Sequence, residues 1–196
     1  MKITAIKTFP MNAGRDIFLV KVETDEGIYG LGEGGCSSRE LAEATVVDHF
    51  ARFLVGMDPM RIEHIWQKCY RSNYHEGGRV LTGAISAIDI ALWDIMGKKL
   101  GVPVYQLLGG ACRERVFGFP TLGIGQHDCL ERCRDFIAEG GPCIRLIAST
   151  PVPSWASELH AADPDAANMF EPRASIADTA ERLAELRPQL DRSIPL

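Results

Sequence analysis

The sequence predicts an α+β domain followed by the opening units of a parallel β/α arrangement. Three observations carry this. Short alternating segments joined by tight turns open the chain, and apolar residues at helical spacing fill its middle. Beyond a glycine pair the order changes to strand, helix, strand. The first pattern pairs antiparallel, the second buries a helix and the third belongs to a parallel sheet.

Residues Lys2 to Phe9 alternate apolar and polar, and Ile17 to Glu23 alternate again. The run Thr24-Asp25-Glu26-Gly27 is a turn signal, after which Ile28 to Gly32 resumes extended structure. Ser38 is placed as N-cap of a helix over Arg39 to Leu54, with Leu41, Val46, Phe50 and Phe53 inward and Gly56 as its stop. Asp58 caps a second helix with Pro59 at its first position, running through Ile65, Trp66 and Tyr70. The strongest pattern spans Val80 to Leu100. Leu81, Ala84, Ile85, Ile88, Leu92 and Ile95 recur there at helical spacing, and Ala87, Ala91 and Met96 widen the stripe until the helix must be largely buried. Gly101 ends it. Val104 to Leu108 is a short segment closing on Gly109-Gly110, a domain junction.

Beyond the junction, Val116 to Phe119 reads as a buried strand, Asp128 to Glu139 as a helix with Leu130, Cys133, Phe136 and Ile137 inward, and Cys143 to Ile147 as a second strand. A polar, Pro-rich insert covers Ser149 to Pro172. A helix follows over Ser175 to Leu190, and Ser193 to Leu196 looks like the start of a third strand.

Of the 196 residues 46% are hydrophobic and 24% charged, an ordinary globular balance. A net charge of −5 argues against nucleic acid as a partner and leaves no polybasic patch for a membrane surface. No run of apolar residues is long enough to span a bilayer, and the start MKITAIKTFP lacks the apolar stretch of a secretory leader, so a cytoplasmic protein is expected. Six cysteines occur without a C-x-x-C. Cys129 and Cys133 share a helix face, yet no second ligand pair at zinc spacing follows, and reduced thiols are the expectation.

The stretch Gly77-Gly78-Arg79-Val80-Leu81-Thr82-Gly83-Ala84-Ile85-Ser86-Ala87-Ile88-Asp89-Ile90-Ala91-Leu92-Trp93-Asp94-Ile95 resembles the main capping-domain helix of the mandelate racemase and muconate-lactonizing branch of the enolase superfamily. Gly97-Lys98, Pro103 to Gly110, Met1-Lys2-Ile3 and Glu23 to Gly27 continue the resemblance, which covers Met1 to Cys143 and then weakens. It implies an α+β capping domain, residues 1–110, followed by the first units of a (β/α) barrel, residues 111–196, truncated before the third barrel strand. It also implies a site between the cap and the C-terminal ends of the barrel strands. There Mg²⁺, held by carboxylates on the third, fourth and fifth strands, stabilises an enediolate formed by removing a proton α to a carboxylate. Those carboxylates are expected to lie outside this chain.

Arg145 is the candidate catalytic residue. An Arg in the apolar run Cys143 to Ile147 is costly unless paired, and in the mannonate-dehydratase-like branch an Arg on this strand serves the site. The alternative is an Arg snorkelling into a structural ion pair. The candidate substrate-binding residues implied by the resemblance are Ser37, in a loop that closes over the substrate, and Tyr74 and His75, in the loop before the long helix. Ser37 replaces an Asn and Pro120 a His of the mannonate-type pattern, two departures from that substrate. Asp89 and Asp94 are not a carboxylate pair, because five residues on a helix place them about 140° apart.

The resemblance thus implies part of a Mg²⁺-dependent sugar-acid dehydratase of galactonate type, with a small-molecule sugar acid as partner, a homo-oligomer as one assembly, and no activity from this chain alone. The alternatives are a racemase or cycloisomerase of the same superfamily, or a non-catalytic truncated remnant.

Overall fold

The computed structural model describes residues 1–12, 16–36, 39–71, 77–149 and 172–196. These fall into two compact units, Met1–Cys112 and Arg113–Leu196.

The first unit begins with an antiparallel meander of β1 (Ile3–Asn12), β2 (Asp16–Thr24) and β3 (Tyr29–Gly34), in that spatial order. Register places Val22 opposite Ile6 and Gly30, and Val20 opposite Thr8 and Gly32. Alternation therefore turns Phe18, Val20 and Val22 to one face, where all three are fully buried. Two helices, α1 (Glu40–Leu54) and α3 (Arg79–Leu100), cover this face, and the helix between them in sequence, α2 (Ile62–Arg71), packs on α3. The far end of α1 is tied back to the sheet, since Gly56 N–H donates to Ile3 O and Ile3 N–H to Met57 O.

α3 is the centre of the unit. It has the length and apolarity of a bilayer-crossing helix, but Ala84, Ala87, Ala91 and Ile95 are fully buried against the sheet and neighbouring helices. The small side chains of Ala87 and Ala91 let the helix approach β3 closely. A Cβ on Gly30 or Gly32 would overlap the carbonyl oxygen of Ala91 or Ala87. Asp94 adds a polar fastening: its Oδ2 accepts from Leu31 N–H at 2.9 Å and from Lys98 Nζ at 2.7 Å. Gly101, left-handed at φ 70°, ends the helix as its sequence position predicts. A short helix, α4 (Val104–Leu107), follows.

Two expectations fail in this unit. Leu41, assigned inward on α1, is 74% exposed, and the inward positions are Glu43, Val47, Phe50 and Leu54. The stripe runs from 43 to 54 because the helix axis is set by the sheet beneath it, which local periodicity does not record. Pro59 does not open α2. Asp58 Oδ1 instead accepts from Met60 N–H, a local turn that delays the helix to Ile62.

The second unit holds a parallel pair, β4 (Thr121–Gly123) and β5 (Arg145–Ile147), joined through α5 (Cys129–Ala138). α6 (Pro172–Leu186) ends in a 3-10 turn at Arg187–Gln189. Leu122, Cys129, Cys133, Ile144, Leu186 and Leu190 form its core. The strand expected at Val116 to Phe119 is absent. Val116 and Phe117 are 80% and 84% exposed, and pairing starts only where Arg145 N–H meets Pro120 O at 3.0 Å. A strand exists where a partner supplies hydrogen bonds, and β5 offers them only from residue 120 onward. Ser193 to Leu196 forms no strand, although Ile144 N–H donates to Pro195 O. The insert lies outside the described residues, apart from its ends at Ser149 and Pro172. Those ends are stitched together: Ser175 Oγ donates to Ser149 O and Ser149 N–H to Thr179 Oγ1.

Candidate functional site

Two concave surfaces carry the candidate chemistry, one in each unit. The first is a polar cleft of about 700 Å³ in the meander-and-helix unit, lined by Gly35, Cys36, Gly78, Arg79, Thr82, Gly83 and Ser86. Arg79, Thr82, Gly83 and Ser86 repeat at three- and four-residue spacing, so they form one stripe along the start of α3. That stripe interrupts an otherwise apolar helix. It is the signal in the sequence by which these residues were findable. Ser37 adjoins Cys36 in sequence, and Tyr74 and His75 precede Gly77-Gly78, but Ser37, Tyr74 and His75 all lie outside the described residues.

Behind this cleft lies a residue that sequence reading missed. Glu43 on α1 is fully buried, with neither carboxylate oxygen hydrogen-bonded. Burial pushes its carboxyl above the usual carboxylate range, and the charge of Glu40 one turn away adds to this.

The second surface is a groove of about 540 Å³ along β5, lined by Phe119, Ile124, residues 143–148, Thr179, Leu183, Pro195 and Leu196. Ile144 is buried and Leu146 packs with it into the core under α5, while Arg145 and Ile147 alternate to the opposite, exposed face. Arg145 is the first residue of β5, and Leu146 and Ile147 lie further toward its C-terminal end. Among the described residues no carboxylate forms an ion pair with Arg145. The exposed guanidinium accordingly carries no burial cost.

The remaining acids are engaged structurally. Asp94 holds Leu31 and Lys98. Asp89 is raised in pKa by burial first and then by Glu63, against a hydrogen bond from Trp93. Among the described residues no group of three His, Cys, Asp or Glu side chains comes together to hold a metal ion. Cys129 and Cys133, adjacent and buried, are free thiols.

Residues 5–109 match the N-terminal domain of the mandelate racemase / muconate lactonizing enzyme family. A D-galactonate dehydratase from Variovorax paradoxus (strain S110) is 45% identical over 141 residues, which is 72% of this chain and 36% of that protein. A D-mannonate dehydratase from Sphingomonas sp. (strain SKA58) is 44% identical over 153 residues, 76% of this chain and 38% of that protein. Among solved structures, an enolase from Pantoea ananatis with bound D-gluconate and Mg superposes with a TM-score of 0.76 at 31% identity, covering 98% of this chain and 51% of that one. The chain thus spans under two fifths of the length of these curated relatives and about half of the solved chain. With the meander, the long buried helix and the matched residues in agreement, the chain belongs to the mandelate racemase / muconate lactonizing enzyme family of the enolase superfamily and carries its N-terminal capping domain.

Proposed function

We propose that this chain supplies the cap and the Arg145 strand of a sugar-acid dehydratase. The observation that carries the reading is the 44–45% identity, over about three quarters of this chain, to relatives that dehydrate D-galactonate or D-mannonate. In such a reaction a proton leaves the carbon α to a carboxylate, the hydroxyl on the next carbon departs as water, and the enol formed collapses to a keto acid. Arg145 is assigned a paired hydrogen bond to a carboxylate or hydroxyl oxygen of the substrate, to which its exposed, unshared guanidinium is suited. Ser37, Tyr74 and His75 are assigned to substrate binding. Mg²⁺ remains part of the proposal for the complete enzyme; among the described residues no three His, Cys, Asp or Glu side chains group together.

A second reading takes the polypeptide by itself as a non-catalytic chain. One experiment separates the two. The chain is assayed with Mg²⁺ on D-galactonate, D-mannonate and D-gluconate, alone and joined to the C-terminal part of the Variovorax relative, with keto acid formation as readout. The dehydratase reading expects turnover only from the joined protein. Turnover by the chain alone contradicts the placement of the metal ligands. A folded joined protein that racemises or cycloisomerises its acids, or ignores every sugar acid, removes the dehydratase reading.

A further inference from the structure

Glu43 is the only side chain among the described residues with buried polar atoms and no hydrogen-bond partner. Its space is made by two glycines. A Cβ on Gly34, at the end of β3, would lie 2.9 Å from Oε2, and a Cβ on Gly83, one turn into α3, would overlap Oε1. Phe18 of β2 closes another side of the same space. Three separated segments thus combine to seat one carboxyl group, and Gly83 and the neighbour of Gly34, Gly35, line the polar cleft on the other side. A buried ionised carboxylate without partners is far costlier than the neutral acid, so such a group keeps its proton instead.

We propose that Glu43 is a buried carboxylic acid that positions the end of β3 against the first turns of α3, and that its ionisation parts this seam and reshapes the adjoining cleft. The charged surroundings are few. On α1 these are Arg39, at the N-cap one turn before Glu43, and Glu40, whose negative charge favours the protonated form. On α3 it is Arg79, one turn before Gly83. β2 brings Asp16 at its exposed end, on the Phe18 face, and β3 brings only Glu33, which register turns to the outer face opposite Leu19. Lys7 of β1 also lies on that outer face, paired with Glu23. Ionisation breaks the Glu43 O–H bond, the proton passes to water, and the new carboxylate gains by drawing water into the seam. The inference concerns the cap alone and does not depend on the reaction assigned above.

The sign of the linkage is fixed by a proton held more tightly in the folded chain than in the unfolded one. The Glu43 contribution is complete below the ordinary glutamate pKa and is lost as pH rises toward its folded value. Over that window the folding equilibrium constant falls about tenfold per pH unit, and Glu43→Gln removes the slope.

The test uses the 196-residue chain. The side-chain carboxyl of Glu43, assigned through bonds from its backbone amide, is followed by NMR through a pH titration. The expected result is a carboxyl that releases its proton at a higher pH than the exposed glutamates do. A Glu43 carboxyl that titrates with the exposed glutamates overturns the proposal, with no variant needed. Urea unfolding against pH, wild type beside Glu43→Gln, is expected to lose its slope in the variant, and an unchanged slope also overturns it. Alkylation of Cys36, which lines the cleft, reports the opening. The wild-type to Glu43→Gln rate ratio rises with pH as Glu43 ionises, whereas a constant ratio refutes the reshaping of the cleft.

Discussion

Gly83 and Glu43 share one space: a Cβ on the glycine would fall on the Oε1 of the buried carboxyl. This reverses an ordinary rule. In a helix interior Gly→Ala gains roughly 0.5–1 kcal/mol, because alanine loses less backbone entropy on folding. Gly83→Ala is instead expected to destabilise by about 1–3 kcal/mol, the range of overpacked cores. In a Glu43→Ala background the same change returns to neutral or stabilising, a coupling that a double-mutant cycle in urea measures. Additive effects of the two substitutions contradict the shared cradle.

Gly32 meets backbone instead of side chain. Its Cβ would overlap the carbonyl oxygen of Ala87 and approach the N–H of Ala91 at 3.0 Å. Neither can rotate away, so Gly32→Ala has to push β3 off α3. A loss of roughly 1–3 kcal/mol is the minimum expected, with faster amide exchange along α3. A variant with unchanged protection and midpoint refutes the close strand–helix approach.

The thiols divide by burial. Desolvation pushes Cys69 up to about 12 and, with the neighbouring Cys129, Cys133 up to about 11. Cys112 is exposed. At neutral pH, alkylation followed by mass spectrometry is expected to label Cys112 readily. Cys69, Cys129 and Cys133 stay unlabelled until urea unfolds the chain. Early labelling of Cys133 contradicts the packing of α5 against Leu122 and Ile144.

Arg145→Ala separates structure from function. Because Arg145 is exposed and makes no ion pair with the described residues, the melting temperature is expected to change little. In the joined, active protein the loss of one charge-assisted contact, about 1.5–3 kcal/mol, lowers kcat/KM by at least roughly tenfold to a hundredfold. Lys at this position recovers part of it, lacking the planar fork. Unchanged turnover with a lowered melting temperature assigns Arg145 to structure instead.

The legibility of the fold follows the range of the forces involved. Alternation in Ile17 to Glu23 and the apolar stripe of Val80 to Leu100 are local records of which side faces a core, and β2 and α3 formed where they point. Gly101 likewise stops α3 through backbone geometry that needs no distant partner. Of the candidate site, the expected strand carries Arg145, while Ser37, Tyr74 and His75, named through the resemblance, lie outside the described residues.

Tertiary contact decided the rest. Val116 to Phe119 has strand composition, yet the strand begins at Thr121, because hydrogen bonding requires the partner that β5 provides. Nothing local marks Glu43, yet it is buried, because two glycines remote in sequence leave room for it there. The sequence by itself determined the meander, the long buried helix and the family. Only the folded chain decided which faces meet, since the alignment of a helix on a sheet and the space between them depend on residues far apart along the chain.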